Sequence, residues 1–215
     1  MPTGKDVLAV AISQLGTKEK PANSNRVKYN TWYYGKEVSG SGYPWCMAFV
    51  QWCYQMAGVR LPLKTASCGA LLRFYKTTDP ACFITDPQPG DIVIFDFPGG
   101  ADTDHTGIFE SAAGNMVTTI DGNTGTTSDA NGGAVMRRTR DKSAVKAYIR
   151  PRELEDDMPR YNTIKEIEAA APWAVATIKK LMDRKALNGD GAGLNLSDDM
   201  LRLFVVNDRM GLYGK

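Results

Sequence analysis

Chemistry in this sequence gathers around one thiol, one imidazole and one Asp-Gly-Asn turn. The stretch YPWCMAFVQWCYQMAG, residues 43–58, carries Cys46 and Cys53. The single histidine, His105, opens HTGIFESA, and Asp121 and Asn123 close NMVTTIDGN. If Pro44 opens a helix, Cys46 falls in its first turn, where unpaired backbone N–H groups and the helix dipole favour an anion. That position lowers a thiol's pKa, the more so beside an imidazole. Cys53 stands two turns deeper, roughly 10 Å along the axis, and reads as a small buried hydrophobe. A cysteine nucleophile requires a base, and the base requires a group that fixes its ring. His105 is the one imidazole available. Asp121 and Asn123, two apart on an extended chain, project to one side, and either can accept from the second ring nitrogen. Taken singly these residues have plainer readings, as packing thiol, structural histidine and simple turn; together they read as a nucleophile, its base and an orienting group.

Three kinds of element must position them. Thr3 caps a helix whose apolar residues Val7, Leu8, Ala11, Ile12 and Leu15 follow helical spacing up to Gly16. Residues 17–42 are polar, aromatic and glycine-bearing, and read as a long ordered loop. The second helix begins at Pro44 and stops at Gly58, and a third covers Ser67–Tyr75. Then PGDIVIFDF, HTGIFESA, NMVTTIDG, GAVMRRTR and VKAYIR alternate with turn residues, which predicts an antiparallel strand meander. Helices followed by strands give an α+β domain over 1–150. Residues 151–160, proline-bounded and charged, read as a linker, and 161–215 as a small helical domain opening just after Met158.

Composition narrows the function classes. With 43% hydrophobic and 23% charged residues the chain is an ordinary globular protein. Its 26 basic and 24 acidic residues leave +2, too balanced for a nucleic-acid footprint. RVK at 26–28 and RRTR at 137–140 read as solvated faces. No apolar run suits a membrane span, so neither nucleic acid nor membrane is an expected partner. The N-terminal VLAVAI, beside Lys5 and Asp6, lacks the features of an export signal. The four cysteines form no CxxC and GDGAGLNLSDD lacks the acids of a calcium loop, so no metal site is expected.

YPWCMAFVQWCYQMAG, PGDIVIFDF, DHTGIFES and IDGNTG, in this order, resemble the CHAP family of cysteine- and histidine-dependent amidohydrolases and peptidases, over about residues 5–150. The resemblance implies a papain-like α+β fold and cleavage of amide bonds in peptidoglycan. Matched motif by motif, it puts the nucleophile on Cys46, the general base on His105 and the orienting group on Asp121 or Asn123. Many members carry glutamate where this chain has Asp121, which tilts the choice slightly to Asn123. Some relatives bind calcium in an acidic loop ahead of the cysteine. Here residues 17–45 hold only Glu19 and Glu37 as acids, so no calcium or other cofactor is carried over. The aromatics of 29–34 and Trp45 either line the groove or anchor the loop. The tail is similar to small C-terminal modules of endolysins from phages of Gram-positive hosts, which implies attachment to a secondary cell-wall polymer. Its plainer reading is a helical unit that packs on the first domain or mediates oligomerisation.

The leading expectation is therefore an endolysin, an N-acetylmuramoyl-L-alanine amidase or a stem or cross-bridge endopeptidase, held in host cytoplasm before it acts at the cell wall. Two others compete: an idle wall-binding protein with a hydrolase-like fold, and a papain-like protease or acyltransferase acting on proteins.

Overall fold

The computed structural model describes residues 2–98, 103–126, 132–154, 160–189, 191 and 193–214. It divides into two units, Met1–Asp156 and Asp157–Lys215. Residues 155–159 of the expected linker, Met158 among them, lie outside the described residues, while Leu154 packs against the first unit's core.

The first unit opens with α1 (Gly4–Ser13), held by a capping box in which Thr3 and Asp6 satisfy each other's backbone N–H groups. Within the stretch expected as loop stands a short helix, α2 (Lys28–Tyr34), ended by Gly35 in the left-handed region at φ 71°. Its aromatic composition offers few strong helix formers. Packing of the fully buried Tyr29 against Trp45, Phe49 and Trp52 supplies what propensity does not. Then come α3 (Cys46–Met56), which starts at Cys46 rather than Pro44, and α4 (Cys68–Thr78), capped by Ser67.

The sheet follows: β1 (Phe83–Ile84), β2 (Ile92–Phe95), β3 (His105–Ala113), β4 (Met116–Thr124), β5 (Ala134–Asp141) and β6 (Val145–Ile149). All pairings are antiparallel, in the order β1-β6-β2-β3-β4-β5. β2 to β5 form the expected meander. β6 does not continue it, but returns across the sheet to pair with β2. There Ile149 joins the helix-side core and Val145 the opposite one; beside β5, with its exposed Arg137, Thr139 and Asp141, neither burial would be available.

Strand alternation gives the sheet two apolar faces. Ile92, Ile94, Ile108 and Ile120 meet the helices, with Phe49, Val50 and Cys53 of α3 in the same core. Val93, Phe95, Phe109 and Val117 point the other way and form a second cluster with Phe97 and Tyr148. His105 and Asp121 fall on this second side by strand parity.

The second unit contains α5 (Ile164–Ala170), α6 (Val175–Asp183) and α7 (Asp198–Arg209), plus a minimal sheet of β7 (Arg160–Tyr161) and β8 (Leu196–Ser197) that the helical pattern did not foretell. Ile167, Ile178, Leu196, Leu201 and Val205 centre its own core. Leu203 and Val206 on α7, and Met210 just after it, are more than half exposed. No helix among the described residues is long and apolar enough to cross a membrane.

Candidate active site

Cys46 is the first residue of α3, so its backbone N–H has no acceptor within the helix. Trp45 before it is fully buried: Nε1–H donates to Glu19 Oε1 at 2.8 Å, and the ring stacks on Tyr29 at 5.4 Å. Tyr29 and Trp45 are therefore core anchors, not groove lining. Trp32 and Tyr33 are half-buried and Tyr34 is exposed. Glu19 also accepts from the Ser24 N–H, and Glu37 pairs with Arg26, so both acids ahead of Cys46 are engaged. Among the described residues no cluster of three or more His, Cys, Asp or Glu side chains is placed to hold a metal ion.

His105, the first residue of β3, is fully buried. Its Nε2 lies 3.0 Å from Asp121 Oδ2 on the neighbouring strand β4. Nδ1 has no hydrogen-bond partner and is the nitrogen left for the thiol. Phe95 and Phe97 stack loosely on the ring, at 6.2 and 6.4 Å between centroids. Asn123 is also fully buried, in the left-handed region at φ 58°, with neither side-chain polar atom hydrogen-bonded. The structure thus brings Asp121 to His105, and does not bring Asn123 there.

Two glycines make that arrangement possible. A Cβ at Gly107 would run into Asp121 Oδ1, so the carboxylate occupies space that any other residue would fill. A Cβ at Gly122 would strike Phe49 and Trp45, so α3 can rest on β4 only across a glycine. The motifs HTG and DGN therefore encode close approach as well as chemistry.

Sequence reasoning missed two neighbours. Arg140, expected on a solvated face, is only 7% exposed. Its Nη1 lies 2.7 Å from Asp121 Oδ2, and its guanidinium covers Phe95 at 4.7 Å and Phe97 at 5.6 Å. Period-2 alternation is the signal that separates it from the exposed Arg137 and Thr139 of the same basic run. The other is Cys68, first residue of α4, whose Sγ lies 3.9 Å from Cys46 Sγ. Its helix-start position behind Ser67 repeats that of Cys46, but no spacing rule joins the two.

The charges follow from these contacts. A hydrogen bond from the Cys68 thiol, the strongest influence, lowers the pKa of Cys46 well below the ordinary thiol value; burial opposes it and His105 assists. The same bond, with burial, pushes Cys68 well up, so Cys68 keeps its proton and donates it. Burial would discharge His105, yet Asp121 and Cys46 outweigh it and raise the ring to about 9. Burial likewise opposes the Asp121 carboxylate, but His105 and Arg140 hold its pKa below the usual value. These shifts all favour a thiolate beside an imidazolium whose far nitrogen donates to an anionic carboxylate.

A helix-start thiol set against an imidazole and a carboxylate is the constellation of thiol-dependent amide hydrolases. The model of the CHAP domain family matches residues 38–123, a span that includes Cys46, His105, Asp121 and Asn123. No curated protein matches the chain by sequence. Among solved structures, the wild-type endolysin LysIME-EF1 is similar at 18% identity over 70% of this chain and 65% of that one, with a TM-score of 0.46. Ly7917 is similar at 17% identity over 75% and 66% of the two chains, with a TM-score of 0.39. The chain spans just under two thirds of the length of either.

Proposed function

We propose that the chain is a peptidoglycan hydrolase of the endolysin type that cleaves an amide bond of the wall peptide, as an N-acetylmuramoyl-L-alanine amidase or a stem or cross-bridge endopeptidase. The observation that carries this reading is the buried His105–Asp121 contact beside a helix-start thiol, inside the CHAP match. Cys46 Sγ attacks the amide carbonyl, and the developing oxyanion is met by the Cys46 backbone N–H. His105, already protonated, gives its proton to the leaving amine and then, as base, takes one from the water that hydrolyses the thioester. Asp121 Oδ2 fixes the ring through Nε2–H, and Arg140 keeps that carboxylate ionised and in place.

The second unit is assigned to retention on the wall. Trp173, Arg202 and Arg209 border a shallow cleft of about 330 Å³ on α7. An exposed aromatic ring and two arginines lining one cleft suit a sugar polymer carrying anionic groups, such as a secondary cell-wall polymer.

Purified Gram-positive walls supply the test. Wild type is expected to solubilise them and Cys46→Ala to leave them intact, with mass spectrometry of the digest naming the freed ends. Equal clearing by both proteins would refute the thiol mechanism. Activity on casein with none on walls would move the substrate from peptidoglycan to proteins.

A further inference from the structure

Catalysis as described uses one cysteine, yet two thiols meet at the site. Cys46 and Cys68 open separate helices, α3 and α4, and their sulfurs stand 3.9 Å apart. A disulfide needs about 2.0 Å between sulfurs. The sulfurs are thus in van der Waals contact, and a bond between them requires the two side chains to turn toward each other. Each residue is 6% exposed, whereas Cys53 is fully enclosed. Cys82 is occupied otherwise, its thiol donating to Asp79 Oδ2 at 2.9 Å.

We propose that Cys46 and Cys68 form a peroxide-responsive oxidation site, with Cys46 as the oxidised sulfur and Cys68 as the resolving thiol. In the first step the Cys46 thiolate attacks one oxygen of hydrogen peroxide. The O–O bond breaks, Cys46 becomes a sulfenic acid and hydroxide leaves. In the second, Cys68 Sγ attacks the sulfenic sulfur. The S–O bond breaks, the Cys68 proton accompanies the departing oxygen as water, and an S–S bond remains. Peroxide is reduced by two electrons and the two thiols are oxidised by two. The product lacks a nucleophile, and a dithiol reductant regenerates it. Without Cys68 the sulfenic acid has no neighbouring thiol and proceeds to sulfinic and sulfonic acids, which a thiol does not reverse. Cys68 thereby converts an irreversible loss into a reversible one. The anionic character of Cys46 fits it for the first step; once Cys46 is a neutral sulfenic acid, the negative charge that held the proton on Cys68 is gone, and that proton leaves with the departing oxygen.

This inference rests on Cys46 being a reactive thiolate, as in the proposed mechanism, but its primary readout does not involve wall cleavage. The full-length protein is treated with hydrogen peroxide, digested without reduction and mapped by mass spectrometry. The expected product is a Cys46–Cys68 linked peptide, lighter by two hydrogens, with Cys53 and Cys82 unlinked. Wall-lytic activity is expected to fall at least about tenfold and to return with dithiothreitol. In Cys68→Ser the loss is expected to persist after dithiothreitol, relative to that variant's own untreated activity. Sulfinic or sulfonic Cys46 in wild type without a linked peptide would overturn the proposal, as would linkage of Cys46 to Cys53 or Cys82. A linked peptide in a protein that never cleaves walls would support the oxidation site and overturn the hydrolase reading.

Discussion

At the scale of single residues, the site is a chain of alternating charges: Arg140, Asp121, His105 and Cys46. Its pH response has a definite sign. Since Asp121 and Cys46 overcome burial to hold His105 protonated to about 9, the ion pair persists below that pH and is lost as pH rises through it. A kcat/KM profile on soluble muropeptide is expected to decline on the alkaline side near 9, and on the acid side as the thiolate takes up a proton. An alkaline limb near the ordinary imidazole value would contradict the contact with Asp121. Arg140 matters through Asp121. Arg140→Met leaves a buried carboxylate facing a methionine and is expected to cost about 3 kcal/mol in urea unfolding, with a fall in kcat/KM at neutral pH. Arg140→Lys keeps the charge but not the planar cover over Phe95 and Phe97, so partial recovery is expected. As candidates, Cys46 and His105 are legible in the sequence because their residue types are scarce and the roles proposed for them depend on chemistry. Asp121 and Asn123 are not separable there, since strand parity puts both on one side. Only the backbone beyond Gly122, turning left-handed at Asn123, decides which reaches the ring.

Among the elements, β3, β4 and α3 position the site, and glycines set their spacing. Gly107→Ala is expected to displace the Asp121 carboxylate, lowering both activity and the unfolding midpoint, because the added methyl has no free volume to enter. Alanine at Gly114, at the open tip of the β3–β4 hairpin, meets no neighbouring atom but takes on a φ of 56°, so a modest loss of stability with activity retained is expected there. Equal loss of activity at both positions would remove the argument from close approach. Alternation and helical periodicity make α1, α3, α4 and the five long strands legible. Elements of two residues, β1, β7 and β8, carry no period to detect. The helix α2 is hidden because its aromatic residues are held by tertiary packing rather than by helix propensity. The return of β6 to β2 is equally hidden, since sequence order predicts neighbours within a meander and not which edge a last strand joins.

For the whole molecule, two units with separate cores imply separable tasks. Removing residues 160–215 is expected to weaken retention on purified walls while hydrolysis of a soluble muropeptide stays near that of the full chain. Equal loss of both would make the second unit a structural part of the first. The pairing of His105 with Asp121 also has a consequence in time. The two sit sixteen residues apart on one hairpin, so zipping β3 to β4 brings them together with little loop to close. Cys46 arrives from a helix far upstream, across a much longer loop. Base and carboxylate are thus assembled by a local event and the nucleophile by a distant one. The reactivity of the Cys46 thiol toward an alkylating reagent during refolding then serves as a clock for the final docking of α3.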